Sequence, residues 1–243
     1  MNPVQRAAVL WLAAALGTAA WAQPTAPTPA GRYSSTAVSA DGIGKRYMGR
    51  EIASVMGWQG AAWLEREERE REERTELLVR ALQLRPGMVV ADIGAGTGYL
   101  SRRMAPAVMP GGRILAVDVQ PQMVRLLQEA VRQSGLQQIE PRLGAEDDVK
   151  LPLASVDLAL MVDVYHELAW PHEVLASIVR ALNPGGLLVF VEYRAEDPNV
   201  PINALDKMSE VQTKREAAVH PLQWVRTVGT LPWQHLVVFR KID

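Results

Sequence analysis

The stretch Val89-Val90-Ala91-Asp92-Ile93-Gly94-Ala95-Gly96-Thr97-Gly98-Tyr99-Leu100 decides how the rest of the chain is read. An apolar run with β-branched residues ends on an aspartate, three glycines alternate with other residues, and a helical pattern follows. That order describes a buried strand, a tight turn and the start of a helix. Glycine suits the turn because a Cβ there would block a ligand lying directly on the backbone. Free N–H groups at the helix start favour an anionic group on that ligand. A dinucleotide fingerprint, G-x-G-x-x-G, would need glycine where this chain has Tyr99.

Working outward, Arg85-Pro86-Gly87 closes a preceding helix and turns the chain into this strand. Residues 99–108 read as helix, and Arg113-Ile114-Leu115-Ala116-Val117-Asp118 is a second strand, again ending on an acid. Asp118 stands about twenty residues past the glycines, where a βαβ unit brings a carboxylate to ribose hydroxyls; the other reading is a helix N-cap. Residues 121–132 carry Met123, Leu126, Leu127 and Val131 at helical spacing. Residues 137–143 form a third strand, followed by Gly144-Ala145-Glu146-Asp147-Asp148. Residues 156–163 are a nearly continuous apolar run, the pattern of a parallel strand covered on both faces. A helix over 171–182 leads through Asn183-Pro184-Gly185-Gly186 into an apolar strand ending at Glu192. Residues 202–218 read as largely helical, and 222–228 with 235–241 form a hairpin.

The D-x-G-x-G-x-G loop and the "ALNPGG" turn resemble the signatures of class I S-adenosylmethionine (SAM) dependent methyltransferases, in particular the ubiquinone-biosynthesis and arsenite enzymes. The resemblance covers residues 85–243. It implies an α/β fold: a seven-stranded, mostly parallel Rossmann-like sheet with helices on both faces, an antiparallel C-terminal hairpin and an N-terminal helical cap over the cofactor. It implies SAM as cofactor, held by Asp92, Gly94, Ala95, Gly96, Gly98, Asp118 and Val119, with Asp163 facing the methionine end. The adenine amino group would go to Glu146 or Asp147; the alternative for both is a solvated acidic turn. Tyr165 and His166, just past the fourth strand, would face the methyl acceptor. An imidazole is poised near neutral pH, so His166 is the expected base, against the reading of a histidine merely hydrogen-bonded near a helix start. Glu192 and Arg194 pair with each other or bind a polar substrate. Methyl transfer from a sulfonium needs positioning, desolvation and at most one base, so no metal is assigned.

Composition narrows the function further. The 243 residues hold 26 basic and 27 acidic side chains, which gives no global field for nucleic acid or an anionic membrane. The Asn-Pro-Pro-Tyr signature of amino-methylating DNA enzymes is absent after the fourth strand. The expected partner is therefore a small-molecule or protein methyl acceptor. There is no cysteine, so thiol nucleophiles, cysteine-ligated zinc and iron–sulfur clusters are excluded.

At the N-terminus, Arg6, the apolar residues 7–20 and Ala20-Trp21-Ala22 match the three regions of a secretory signal peptide over residues 1–22. The chain would then be periplasmic or secreted with no stable membrane span, or cytoplasmic if translation starts later, for example at Met48. Residues 23–44, rich in Pro, Thr, Ala and Ser, read as disordered linker, and 45–84 as the helical cap. Within the cap, Glu65→Arg69, Glu67→Arg71, Glu70→Arg74 and Glu76→Arg80 are i,i+4 pairs on what reads as a solvated helix face. Two alternatives remain: a catalytically silent SAM-binding partner protein in the envelope, because SAM is a cytosolic metabolite, and a nucleotide-dependent oxidoreductase.

Overall fold

The computed structural model describes residues 31–243. Its main sheet contains β4 (Val89–Ile93), β5 (Arg113–Asp118), β6 (Ile139–Leu143), β7 (Val156–Val162), β8 (Leu182–Arg194), β10 (Leu222–Val228) and β11 (Gln234–Lys241). Their spatial order is β10-β11-β8-β7-β4-β5-β6, and the short β9 (Lys207–Met208) pairs with the end of β8. The pairs β4–β5, β4–β7, β5–β6 and β7–β8 are parallel, whereas β11 runs antiparallel to both β8 and β10. The expected seven-stranded α/β sheet with its antiparallel last pair is therefore present.

The strands are apolar because both faces are covered. Ala91, Ile93, Leu115, Val117, Ala159, Met161 and Phe190 belong to one core, and Val90, Ile114, Ala116, Leu158, Leu160 and Val189 to the other. Successive residues thus alternate between two cores, the two-residue period of a strand read in three dimensions. The sequence runs outward from β4 in both directions, to β5 and β6 on one side and to β7 and β8 on the other. Beside β4 the order reverses, and such a switch point leaves a crevice at the carboxyl ends of the strands. α5 (Pro121–Ser134) and α6 (Pro171–Ala181) follow β5 and the β7 end, and α4 (Tyr99–Met104) follows the glycine loop. Residues 183–186 are looped out within β8: Val156 pairs with Leu182 and Leu158 with Leu187.

The N-terminal expectations need correction. The signal peptide and residues 23–30 of the linker lie outside the described residues. Residues 31–44 are not unstructured: β1 (Tyr33–Ser35), β2 (Gly42–Tyr47) and β3 (Arg50–Ala53) form a three-stranded antiparallel sheet. The partners are remote in sequence. Arg32 and the Tyr33 hydroxyl donate to Glu173, Lys45 Nζ donates to the Ala169 carbonyl over the Trp170 ring, and Arg50 pairs with Glu216. The cap is thus part sheet, followed by three short helices, α1 (Ala61–Leu64), α2 (Arg69–Glu73) and α3 (Thr75–Ala81). Arg74 adopts φ 53 and ψ 53, which breaks the charged run between α2 and α3. Of the expected ion pairs, Glu76–Arg80 forms, whereas Arg69 turns instead to Glu73. Arg69 and Glu73 are buried, so this face is not solvated. Residues 202–218 likewise divide, into a 3-10 turn (Ala204–Asp206), β9 and α7 (Glu210–Ala217), the last capped by Ser209 Oγ accepting from the Gln212 N–H.

Candidate active site

A cavity of about 530 Å³ opens at the carboxyl ends of β4, β5, β7 and β8, and the N-terminal segment from Ser54 to Glu73 contributes to its wall. Its floor is the glycine loop. Gly94, Gly96 and Gly98 have φ values of 72°, 56° and 78°, a region that favours glycine. Gly94 and Gly96 line the cavity. A Cβ on Gly94 would stand 2.4 Å from Val164 Cγ2, and one on Gly96 2.5 Å from Leu64 Cδ1. The glycines therefore admit the cavity's own walls as well as a ligand. Gly98 instead packs behind the loop, where a Cβ would meet Leu127, and neither it nor Ala95 lines the cavity.

Asp118 clamps the loop. Its Oδ2 accepts from the Gly96 N–H at 3.0 Å and its Oδ1 from the Gln120 N–H at 2.9 Å. Each carboxylate oxygen retains a second lone pair, and Asp118 lines the cavity. Asp92 does not line it. It is buried behind the loop and accepts from Ser101 Oγ at 2.6 Å, which ties β4 to α4. Burial pushes its carboxyl up to about 6, with the Ser101 hydrogen bond and the Arg69 charge opposing that shift. Beyond β5, the apolar side chains Val117, Val119, Met123 and Val149 form a slot bordered by Glu146. Glu146 is thus the acid at this end, while Asp147 does not line the cavity.

The opposite end is charged and largely buried. Asp163, at φ 54°, accepts from Gln234 Nε2 at 2.7 Å through Oδ2, and its buried Oδ1 has no partner among the described residues. Burial and the charges of Glu73 and Glu192 hold its carboxyl well above the ordinary range, against Arg69 and His166. His166 lines the cavity and is 5% exposed. Its Nδ1 is 2.7 Å from Glu192 Oε2, while Nε2 lies 4.0 Å from Asp206 Oδ1. Burial pulls the imidazole pKa down, but the charge and hydrogen bond of Glu192, helped by Glu167 and Asp163, raise it to about 9.

Tyr165 is placed differently from expectation. It is fully buried, edge-on against Phe190 at 4.8 Å, and absent from the cavity wall. The 3-10 turn over Tyr165–Glu167 turns the tyrosine into the core and the histidine into the cavity. Arg194 does not pair with Glu192 but donates to the Leu231, Pro232 and Gln234 carbonyls.

Among the wall residues not legible as such in the sequence are Arg69, Glu73, Glu167 and Asp206. Arg69 and Glu73 pair at 2.8 Å, and Tyr193 Oη, at the β8 end, donates to Glu73 at 3.2 Å. Glu167 accepts from the Met56 N–H at 2.9 Å, and burial pushes its carboxyl up to about 7. Only the oddity of a charge run ending at an apolar helix hinted at the first two.

Residues 91–188 match the family model described as a methyltransferase domain. The ubiquinone/menaquinone biosynthesis C-methyltransferase of Bordetella parapertussis is 32% identical over 121 residues, 49% of this chain and 46% of that protein. The chain thus spans about half the length of this curated relative. The crystal structure of a SAM dependent methyltransferase from Aquifex aeolicus superimposes with a TM-score of 0.73 at 23% identity, covering 77% of this chain and 100% of that one. Geranyl diphosphate C-methyltransferase from Streptomyces coelicolor, solved with S-adenosyl-L-homocysteine, superimposes with a TM-score of 0.55 at 15% identity, over 70% and 75% of the two chains. Both solved structures share the α/β fold of this chain, and the family-model match falls on residues 91–188.

Proposed function

We propose that the protein is a SAM-dependent methyltransferase acting on a small molecule. The observation that carries this reading is the joining of glycine loop and Asp118 on one cavity wall, through the Gly96 N–H bond of 3.0 Å. The residues present fit SAM. Gly94 and Gly96 leave the loop bare, Asp118 has lone pairs for ribose hydroxyls, and the slot walled by Val119 and Met123 suits an adenine edged by Glu146. The unpartnered Asp163 Oδ1 suits the cofactor's ammonium group. When bound, SAM supplies a methyl group on an already activated sulfonium. The chain's residues position the acceptor and exclude water, and His166 Nε2 holds the proton the acceptor gives up. The wall formed by the N-terminal segment favours a small acceptor over a protein side chain.

Isothermal titration with SAM, S-adenosylhomocysteine and NAD tests this reading. Micromolar binding of the first two without the third is expected, and NAD binding alone would replace it with the oxidoreductase reading. SAM binding without methyl transfer to any acceptor in a broad screen would favour a silent SAM-binding partner.

We also infer export, on the signal-like composition of residues 1–22. No helix among the described residues is long and apolar enough to cross a membrane. N-terminal sequencing of the mature chain tests this: a terminus at Gln23 is expected, and one at Met1 or Met48 would overturn it.

A further inference from the structure

One corner of the cavity is unused by the groups assigned to the cofactor. It is formed by His166, Asp206 and the adjoining Ile202 and Asn203. His166 is 5% exposed and lines the cavity, and among the described residues its Nε2 has no hydrogen-bond partner, the nearest acid being Asp206 Oδ1 at 4.0 Å. That gap is too long for a direct bond. Behind the ring, Glu192 is fully buried and held at both oxygens: Oε1 accepts from the Tyr165 N–H at 2.8 Å and Oε2 meets His166 Nδ1 at 2.7 Å. The main chain is fixed as well, because Arg50 donates to the His166 carbonyl at 2.9 Å. The ring is therefore oriented from β8 and β3, with only Nε2 left free.

The charge of the corner is one-sided. Glu167 and Asp206 share the wall with His166, whose ring is neutral where the transfer runs, whereas Arg66 and Arg69, the guanidinium groups of that wall, are both ion-paired with Glu73. A carboxylate or phosphate acceptor would meet these acids with no free guanidinium to receive it. An ammonium offers three donors to the same acceptors.

We propose that this corner binds the methyl acceptor as a small primary or secondary amine, with Asp206 holding the ammonium, His166 Nε2 taking its proton, and Glu192 acting as the positioning residue. The proposal rests on the methyl-transfer reading above. The ammonium N–H passes its proton to the neutral imidazole, which becomes imidazolium. The freed nitrogen lone pair forms the bond to the methyl carbon, and the electron pair of the breaking carbon–sulfur bond stays on sulfur. The products are an N-methyl ammonium and a neutral thioether, and the imidazolium proton leaves to solvent. The groups facing the ring are Glu192, Glu167, Asp163 and Asp206, with Arg50 on its carbonyl. The neutral ring is therefore populated only as pH rises toward about 9.

The test begins with calorimetry of the full chain and S-adenosylhomocysteine; failure to bind sinks the methyl-transfer reading itself. With that complex formed, propylamine, benzylamine, benzyl alcohol and benzoate are titrated while the His166 imidazole signal is followed by NMR, assigned against His166→Gln. The amines should perturb it, and Asp206→Asn should weaken that response about tenfold without changing S-adenosylhomocysteine affinity. Methyl transfer to the amine should rise with pH. Glu192→Gln should move that rise at least about one pH unit lower and depress the plateau at constant KM, and Glu192→Asp should restore the profile. Perturbation by benzyl alcohol or benzoate as strong as by the amines overturns the proposal. So does a complex whose His166 signal ignores every amine, or a Glu192→Gln profile identical to wild type.

Discussion

The side-chain amide of Gln120 is bonded through both ends to the N-terminal segment: Nε2 donates to the Met56 carbonyl at 2.9 Å, and Oε1 accepts from the Trp58 N–H at 2.8 Å. Gln120 lies two residues past Asp118 and lines the cavity. The roof is thus latched to the same β5 end that clamps the glycine loop. Gln120→Ala removes both bonds, worth about 1–2 kcal/mol together. SAM affinity should fall about five- to thirtyfold, and amide exchange over residues 54–60 should accelerate. Exchange unchanged from wild type would show that the latch does not hold the roof.

Gly96→Ala should abolish SAM binding while the domain stays folded. The residue sits at φ 56°, and a Cβ would stand 2.5 Å from Leu64 Cδ1. Gly87→Ala is the control, since Gly87 has φ 86° with nothing within 4 Å of a Cβ. Both carry left-handed strain of about 1–2 kcal/mol. Only Gly96→Ala should lose calorimetric SAM binding.

Asp92 should cost stability at neutral pH. Its folded pKa of about 6 is above the ordinary 3.8, so the folded state favours the protonated form. Its contribution is full below the unfolded value and is lost as pH rises through about 6. The difference amounts to ~3 kcal/mol. Asp92→Asn keeps an acceptor for Ser101 and should flatten this limb in urea melts taken between pH of about 4 and about 7. A wild-type limb already flat would contradict the burial argument.

The His166–Glu192 pair has its own pH signature. A histidine with folded pKa raised from 6.5 to about 9 contributes stability fully below the unfolded value and loses it as pH rises through about 9. The melting temperature should therefore fall between neutral pH and pH of about 10. Glu192→Gln should shrink that fall, measured by scanning calorimetry.

Tyr165→Phe should change methyl transfer less than about twofold. Among the described residues the hydroxyl is buried without a hydrogen-bond partner, and it stands outside the cavity wall. Removing an unpaired buried polar group is neutral or stabilising. A large loss of turnover would restore the tyrosine to the reacting centre.

The sequence by itself determined the sheet and the loop. Continuous apolar strands, a glycine-rich turn and an acid one βα unit later are local codes, each legible within a few residues. Of the residues so singled out, Gly94, Gly96, Asp118, Val119, Glu146, Asp163 and His166 line the cavity. Asp92 and Tyr165 sit next to wall residues in sequence but face the core, because one step along a strand end or turn reverses the side chain. Only the tertiary structure decided the N-terminal wall and the pairing of His166 with Glu192. Arg50–Glu216 spans 166 residues, Tyr193–Glu73 spans 120 and His166–Glu192 spans 26. A charged run such as residues 65–74 looks solvated until remote partners bury it, and no local period encodes which partners those are.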